Sequence, residues 1–79
     1  MEKSELIEKM VSILADDFEV DPSVITPDAP IKETLHLDSL SLVDMVGLVE
    51  DEFEVEIKAA DLPKIRTFAD LYDYVHSRM

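Results

Sequence analysis

Asp38-Ser39-Leu40-Ser41-Leu42-Val43-Asp44-Met45-Val46-Gly47-Leu48-Val49-Glu50-Asp51-Glu52-Phe53 is the stretch on which the fold turns. Leu42, Val46, Val49 and Phe53 fall at spacings of four, three and four, and Met45 widens the row into a core-facing stripe. The pattern predicts a helix from about Ser39 to Phe53, with Asp38 as its N-cap. Ser39 then sits in the first exposed turn. Free backbone N–H groups and the helix dipole favour an attached phosphate at that place.

Upstream, Leu6, Ile7, Met10, Val11, Leu14 and Phe18 recur at helical spacing and predict an amphipathic helix from about Leu6 to Phe18, with Ser4 as N-cap and Glu5 in its first turn. Asp21-Pro22, Pro27 and Pro30 forbid another long helix before Leu35. The result is a long loop from about Glu19 to Leu37, whose Val20, Val24, Ile25 and Ile31 are expected to pack along the body. Downstream, Glu54-Val55-Glu56-Ile57 alternates but has no strand to pair with, so it reads as an extended connection. Ala59-Ala60-Asp61-Leu62 reads as a helical turn before Pro63. A last helix begins at Thr67, where Asp70 completes a capping box, and buries Phe68, Leu71, Tyr74 and Val75. His76 and Arg78 suit the negative end of its dipole. The fold class is all-α: a bundle of three principal helices plus a short one, with a long loop between the first and second. Residues 1–79 are read as a single domain.

The chain contains no cysteine, which removes disulfides, thiolate zinc sites and any thiol chemistry of its own. A hydrophobic fraction of 47% argues for a folded core despite a net charge of −12. That charge repels nucleic acid and anionic membranes and favours partners with basic surfaces. No run approaches the roughly 20 apolar residues of a membrane span. The N-terminus lacks the basic region of a secretory signal, so the expected location is cytoplasmic.

Leu35-His36-Leu37-Asp38-Ser39-Leu40, Val43-Asp44-Met45-Val46 and Glu50-Asp51-Glu52-Phe53, in an acidic chain of this size, resemble the acyl carrier protein family of discrete bacterial type. The resemblance extends over almost the whole chain. It implies a 4′-phosphopantetheine arm joined to the Ser39 hydroxyl by a phosphopantetheinyl transferase, with Asp38 and Leu40 flanking the attachment point. Acyl groups would ride on the arm as thioesters between enzymes of fatty-acid or specialised polyketide-like synthesis, and the protein would itself catalyse nothing. The partners so implied are acyl-transferring, condensing and reducing enzymes with basic docking patches, met by a monomer.

Between Glu33 and Ile57 there is no lysine or arginine, and the acids are Glu33, Asp38, Asp44, Glu50, Asp51, Glu52, Glu54 and Glu56. Close carboxylates repel, so they serve something other than stability. The expected partner-facing set is Leu40, Val43, Asp44, Gly47, Glu50, Asp51 and Ile57, with Leu40 and Val43 as its exposed apolar centre. Gly47, mid-helix, costs roughly 1 kcal/mol relative to alanine, and bulkier residues are common there in the family. Val46, Phe53, Ile57, Ala59, Leu62, Ile65 and Tyr74 are expected to line a gap between the second helix and the short turn, where family members hold acyl chains.

His36-Leu37 replaces a small Gly-Ala pair frequent in fatty-acid carriers, and Lys58, Lys64 and Arg66 make the third helical segment less acidic, which suggests a pathway-dedicated carrier. Other readings are weaker. His36, Asp38 and Ser39 are too close in sequence to aim at one another as a hydrolase triad, and no Gly-x-Ser-x-Gly elbow exists. Loops starting at Asp16 or Asp38 lack the glycine and glutamate of a calcium loop. His36 and His76 have no metal-ligand spacing. An aminoacyl or peptidyl carrier, or a carrier-fold adaptor without the arm, are the alternatives; an adaptor has no need of the serine.

Overall fold

In the computed structural model, which describes residues 2–79, Leu6, Met10 and Leu14 are fully buried on one face of the first helix, α1, Lys3–Asp17. The helix starts earlier than the sequence suggests. Glu2 occupies the N-cap position without a side-chain bond, and Ser4 lies within the first turn, so Ser4 is not the cap. Lys3 instead pairs with Asp73 near the other end of the chain.

The loop after α1 carries structure of its own. A single 3-10 turn, Pro22–Val24, is held by Asp21, whose Oδ1 accepts from Ser23 N–H at 2.9 Å. A four-residue helix, α2, follows at Ile31–Thr34, begun at Pro30 and ended by the left-handed backbone of His36. Ile25 and Ile31 pack into the core as expected, and Val20 packs against it. Val24 does not, and remains 45% exposed because the turn at Pro22 points it outward.

Ser39–Phe53 forms α3, with Met45, Val46, Val49 and Phe53 buried and Leu42 half-buried at the edge of the stripe. After the turn at Glu54, residues 55–57 link α3 to the next segment without helix or strand, with Val55 and Ile57 turned inward; among the described residues there is no strand, only an isolated bridge between Pro30 and Thr67. A 3-10 segment, Ala59–Lys64, runs through Pro63. The last helix, α4, Phe68–Arg78, opens on the full capping box, with Thr67 Oγ1 accepting from Asp70 N–H and the Asp70 carboxylate accepting from Thr67 N–H, each at 3.2 Å. Helix α4 packs on α1 and buries Phe68, Leu71, Tyr72 and Val75. Tyr72 therefore takes the interior place expected of Tyr74, which sits half-buried at the edge with its hydroxyl bonded outward.

Three chain reversals share one construction. Glu19, His36 and Glu54 follow α1, α2 and α3 with φ of 54°, 55° and 53°. In each case the next residue donates its N–H five residues back: Val20 to Ala15, Leu37 to Lys32, Val55 to Glu50. These are Schellman closures. Glycine normally occupies the left-handed position, and here none does.

Candidate functional site

The last of the loop's reversals delivers Ser39. The Ile31 N–H donates to Arg66 O at 2.9 Å, fixing the start of α2 against the approach to α4. The Leu37 N–H to Lys32 O bond at 2.8 Å then folds the chain back, and His36 takes the strained left-handed position. Asp38 caps α3, its Oδ1 accepting from Ser41 N–H at 2.8 Å. This bond holds the Asp38 carboxyl below the usual carboxylate range.

Ser39 is exposed, as are its neighbours Asp38 and Leu40. The Asp38 carboxylate is committed to the backbone of Ser41, so it does not orient His36, and no hydrogen-bonded triad forms among the described residues. What the geometry does offer is a hydroxyl on a helix terminus whose first N–H groups have no intrahelical acceptor. No acidic residue occupies the first turn of α3. A phosphodiester on Ser39 would therefore meet the positive end of the dipole, with the neighbouring Asp38 carboxylate turned to the Ser41 N–H. The residues present fit such a group.

The charge distribution along α3 runs against its dipole. Its last turn holds Glu50, Asp51 and Glu52 and no basic residue, although carboxylates are disfavoured at a helix C-terminus. Lys9, reaching from α1, donates to Glu52 O at 3.4 Å and lies over the Phe53 ring, 5.2 Å from its centroid. One cation does not neutralise that end.

Of the residues expected to face a partner, Leu40 and Val43 are 78% and 60% exposed, and Asp44 and Asp51 are exposed with them. With Gly47 they follow i, i+3, i+4 and i+7 relationships along one side of α3. A Cβ placed on Gly47 would meet nothing within 4 Å, so the glycine leaves a notch in this face rather than relieving a clash. Glu50 and Ile57 are placed differently. The Glu50 Oε2 accepts from Ile57 N–H at 3.0 Å, tying the extended segment to α3, and Ile57 is only 7% exposed. Ile57 thus belongs to the interior and Glu50 to the scaffold beneath the face.

Beside α3 lies a cavity of about 520 Å³. Leu42, Ala59, Leu62 and Ile65 form part of its wall, as the sequence suggests for the last three. Its far side is Pro30–Glu33 of the loop, not Val46, Phe53, Ile57 and Tyr74, which are elsewhere in or beside the core. The loop supplies that wall because the Ile31–Arg66 bond draws residues 30–33 against the 3-10 segment. Lys32, Glu33 and Arg66 also line the cavity.

Residues 8–75 match the family model described as a phosphopantetheine attachment site. Together with the helical architecture, this match defines a phosphopantetheine-binding carrier. Over 79 residues the chain is 37% identical to an acyl carrier protein of Thermosynechococcus vestitus, covering 100% of this chain and 98% of the relative. It is 42% identical over 67 residues to one from Syntrophobacter fumaroxidans, covering 85% and 83%. A solved acyl carrier protein structure from Enterococcus faecalis superposes with a TM-score of 0.82 at 33% identity, each chain fully covered. The chain belongs to the acyl carrier protein family. Membership implies a covalently attached 4′-phosphopantetheine, and the family's members are carriers that meet synthesis enzymes rather than catalysts.

Proposed function

We propose that Ser39 is the attachment point and that residues 1–79 act as one carrier domain, without catalysis of its own, for acyl groups in fatty-acid or specialised polyketide-like synthesis. The supporting observation is the exposed Ser39 at a capped helix terminus whose first turn is free of acid. Loading joins Ser39 Oγ to the β-phosphorus of coenzyme A and breaks the pyrophosphate bond. The serine proton leaves to the transferase, and adenosine 3′,5′-bisphosphate departs. Once attached, the arm supplies a terminal thiol that carries the acyl group as a thioester. Asp38 fixes the turn through Ser41, and α3 presents Asp44 and Asp51 around Leu40 and Val43 to basic patches on the transferase and on acyl-transferring, condensing and reducing enzymes. The protein works as a cytoplasmic monomer in this reading; among the described residues no helix is long and apolar enough to cross a membrane.

Intact-protein mass spectrometry tests the assignment, after incubation with coenzyme A, magnesium and a broad-specificity phosphopantetheinyl transferase. The wild type gains one phosphopantetheine, and Ser39→Ala gains none while keeping its helical circular dichroism. A folded, unmodified wild type that gains nothing would instead indicate an adaptor without the arm.

A further inference from the structure

The cavity beside α3 has an apolar body and a cationic edge. Ile31, Leu42, Leu62 and Ile65 supply the apolar wall, and its volume of about 520 Å³ lies within the range of small-molecule sites. Lys32 and Arg66 both line it. Their backbones are held together by the hydrogen bond from Ile31 N–H to Arg66 O, so the two cations approach one opening on a fixed frame. The Arg66 Nε donates to Pro63 O at 3.4 Å, and Pro63 is itself part of the lining, which keeps the guanidinium along the wall.

Four of the other five lysines and arginines in this acidic molecule have a partner, Lys58 being the exception. Lys3 pairs with Asp73, Lys64 and Arg78 pair with Asp61, and Lys9 covers Phe53. Among the described residues Lys32 and Arg66 form no ion pair, even though Glu33 lines the same cavity.

We propose that this cavity receives an acyl group ending in a carboxylate, an ω-carboxyacyl cargo, with its methylenes against Ile31, Leu42, Leu62 and Ile65 and its terminal carboxylate between Lys32 and Arg66. The proposal rests on the carrier reading with the arm at Ser39. Leu42, three residues beyond Ser39 on α3, is part of the wall. A plain acyl chain would leave both cations without a partner. A carboxylate supplies one, and Arg66 suits it by its forked donors.

The test compares hexanoyl and adipoyl cargo, which have equal carbon number and differ by the terminal carboxylate. Each is loaded from its coenzyme A thioester by the broad-specificity transferase and verified by intact mass. Cleavage by hydroxylamine is then followed, each rate divided by that of the corresponding coenzyme A thioester. The adipoyl form is expected to be cleaved about two- to fivefold more slowly than the hexanoyl form at low salt. Lys32→Met and Arg66→Met, both at exposed side chains, should erase that difference while leaving hexanoyl protection intact. Amide shifts of Leu42, Ile65 and Arg66 should move more with adipoyl than with hexanoyl cargo. Loading without a preference for adipoyl, or a preference that survives both substitutions, overturns the proposal. Failure to load either cargo overturns the carrier reading and this proposal with it.

Discussion

The Tyr74 hydroxyl donates to Asp61 Oδ2 at 2.7 Å, joining the last helix to the 3-10 segment that walls the cavity. The same hydroxyl accepts from Lys58 N–H at 3.3 Å, and Arg78 closes over the ring while its guanidinium reaches Asp61 at 3.4 Å. Two turns of chain are thereby fixed through one phenol. Tyr72, two residues earlier, is the opposite case: its hydroxyl is buried and has no partner among the described residues. One substitution at the two sites should have opposite signs. Tyr74→Phe is expected to cost about 1–2 kcal/mol, and Tyr72→Phe to stabilise by about 1 kcal/mol, because it removes an unpaired buried polar group. Chemical denaturation of both variants checks the sign at each.

Glycine is spent at an unhelpful place. Gly47 lies inside α3 with open space around it, while Glu19, His36 and Glu54 hold left-handed backbone. Gly47→Ala should stabilise by about 1 kcal/mol, and Glu54→Gly by a similar amount, about 1 kcal/mol, by relieving strain at φ 53°. Thermal melts of the single and double variants measure both, and additive gains are expected because the sites share no partner.

Asp38 has two separable duties. Asp38→Asn keeps an oxygen for the Ser41 N–H and should change stability by only a few tenths of a kcal/mol, whereas Asp38→Ala should cost about 1 kcal/mol. A fall in the loading rate of Asp38→Asn at unchanged stability would show that the transferase reads the charge itself. Equal rates for Asp38→Asn and wild type would confine Asp38 to the cap.

Asp44→Lys reverses a charge on the exposed face without touching the core. Stability should stay within about 0.5 kcal/mol. The transferase KM should rise several-fold with little change in kcat, and the salt dependence of KM should flatten. An unaltered salt dependence would count against docking through this face.

Stability should vary with pH in three regions. At neutral pH the net charge of −12 opposes compaction, so acidification towards about pH 5 should raise the melting temperature as repulsion is relieved. Asp38, Asp61 and Asp70 are held below their ordinary value of 3.8, by the Ser41 backbone, by the Tyr74 hydroxyl and by the Thr67 and Arg66 backbones respectively. Their contribution is complete above 3.8 and is lost as pH falls through their lower folded values. Tyr72, through burial, and Tyr74, through Asp61, are both pushed above 10.0, so the folded state holds these protons more tightly and stability declines as pH rises past that value. A melting profile across the full range should show a maximum on the mildly acid side.

The fold is most legible in the sequence where one signal is local. Asp38 and the stripe ending at Phe53 mark both ends of α3, and Thr67 with Asp70 marks the start of α4. The fold is least legible where partners distant in sequence decide. Helical spacing allows either Tyr72 or Tyr74 beside Leu71 and Val75, and only Asp61 across the gap selects the edge position for Tyr74. The cavity's far wall depends on residue 31 meeting residue 66, which no periodicity encodes. The reversals at Glu19, His36 and Glu54 were hidden because glycine, their usual marker, is absent from all three. Yet each is bracketed by apolar residues, as Phe18-Glu19-Val20, Leu35-His36-Leu37 and Phe53-Glu54-Val55, a repeated signature that could have located them.

The loop before Ser39 takes its anchoring from residues that follow it. Phe68 N–H donates to Ala29 O, Ala69 N–H to Pro27 O, and Arg66 O accepts from Ile31 N–H. On a growing chain those partners do not yet exist when Ser39 is made. The bonds of the serine's own turn are local, but the loop that carries it is tied to the body only after the first turn of α4 has emerged and docked. A transferase that needs the docked loop is thereby timed by folding: it meets its target once the bundle is assembled, and a chain halted before α4 offers it an untethered one.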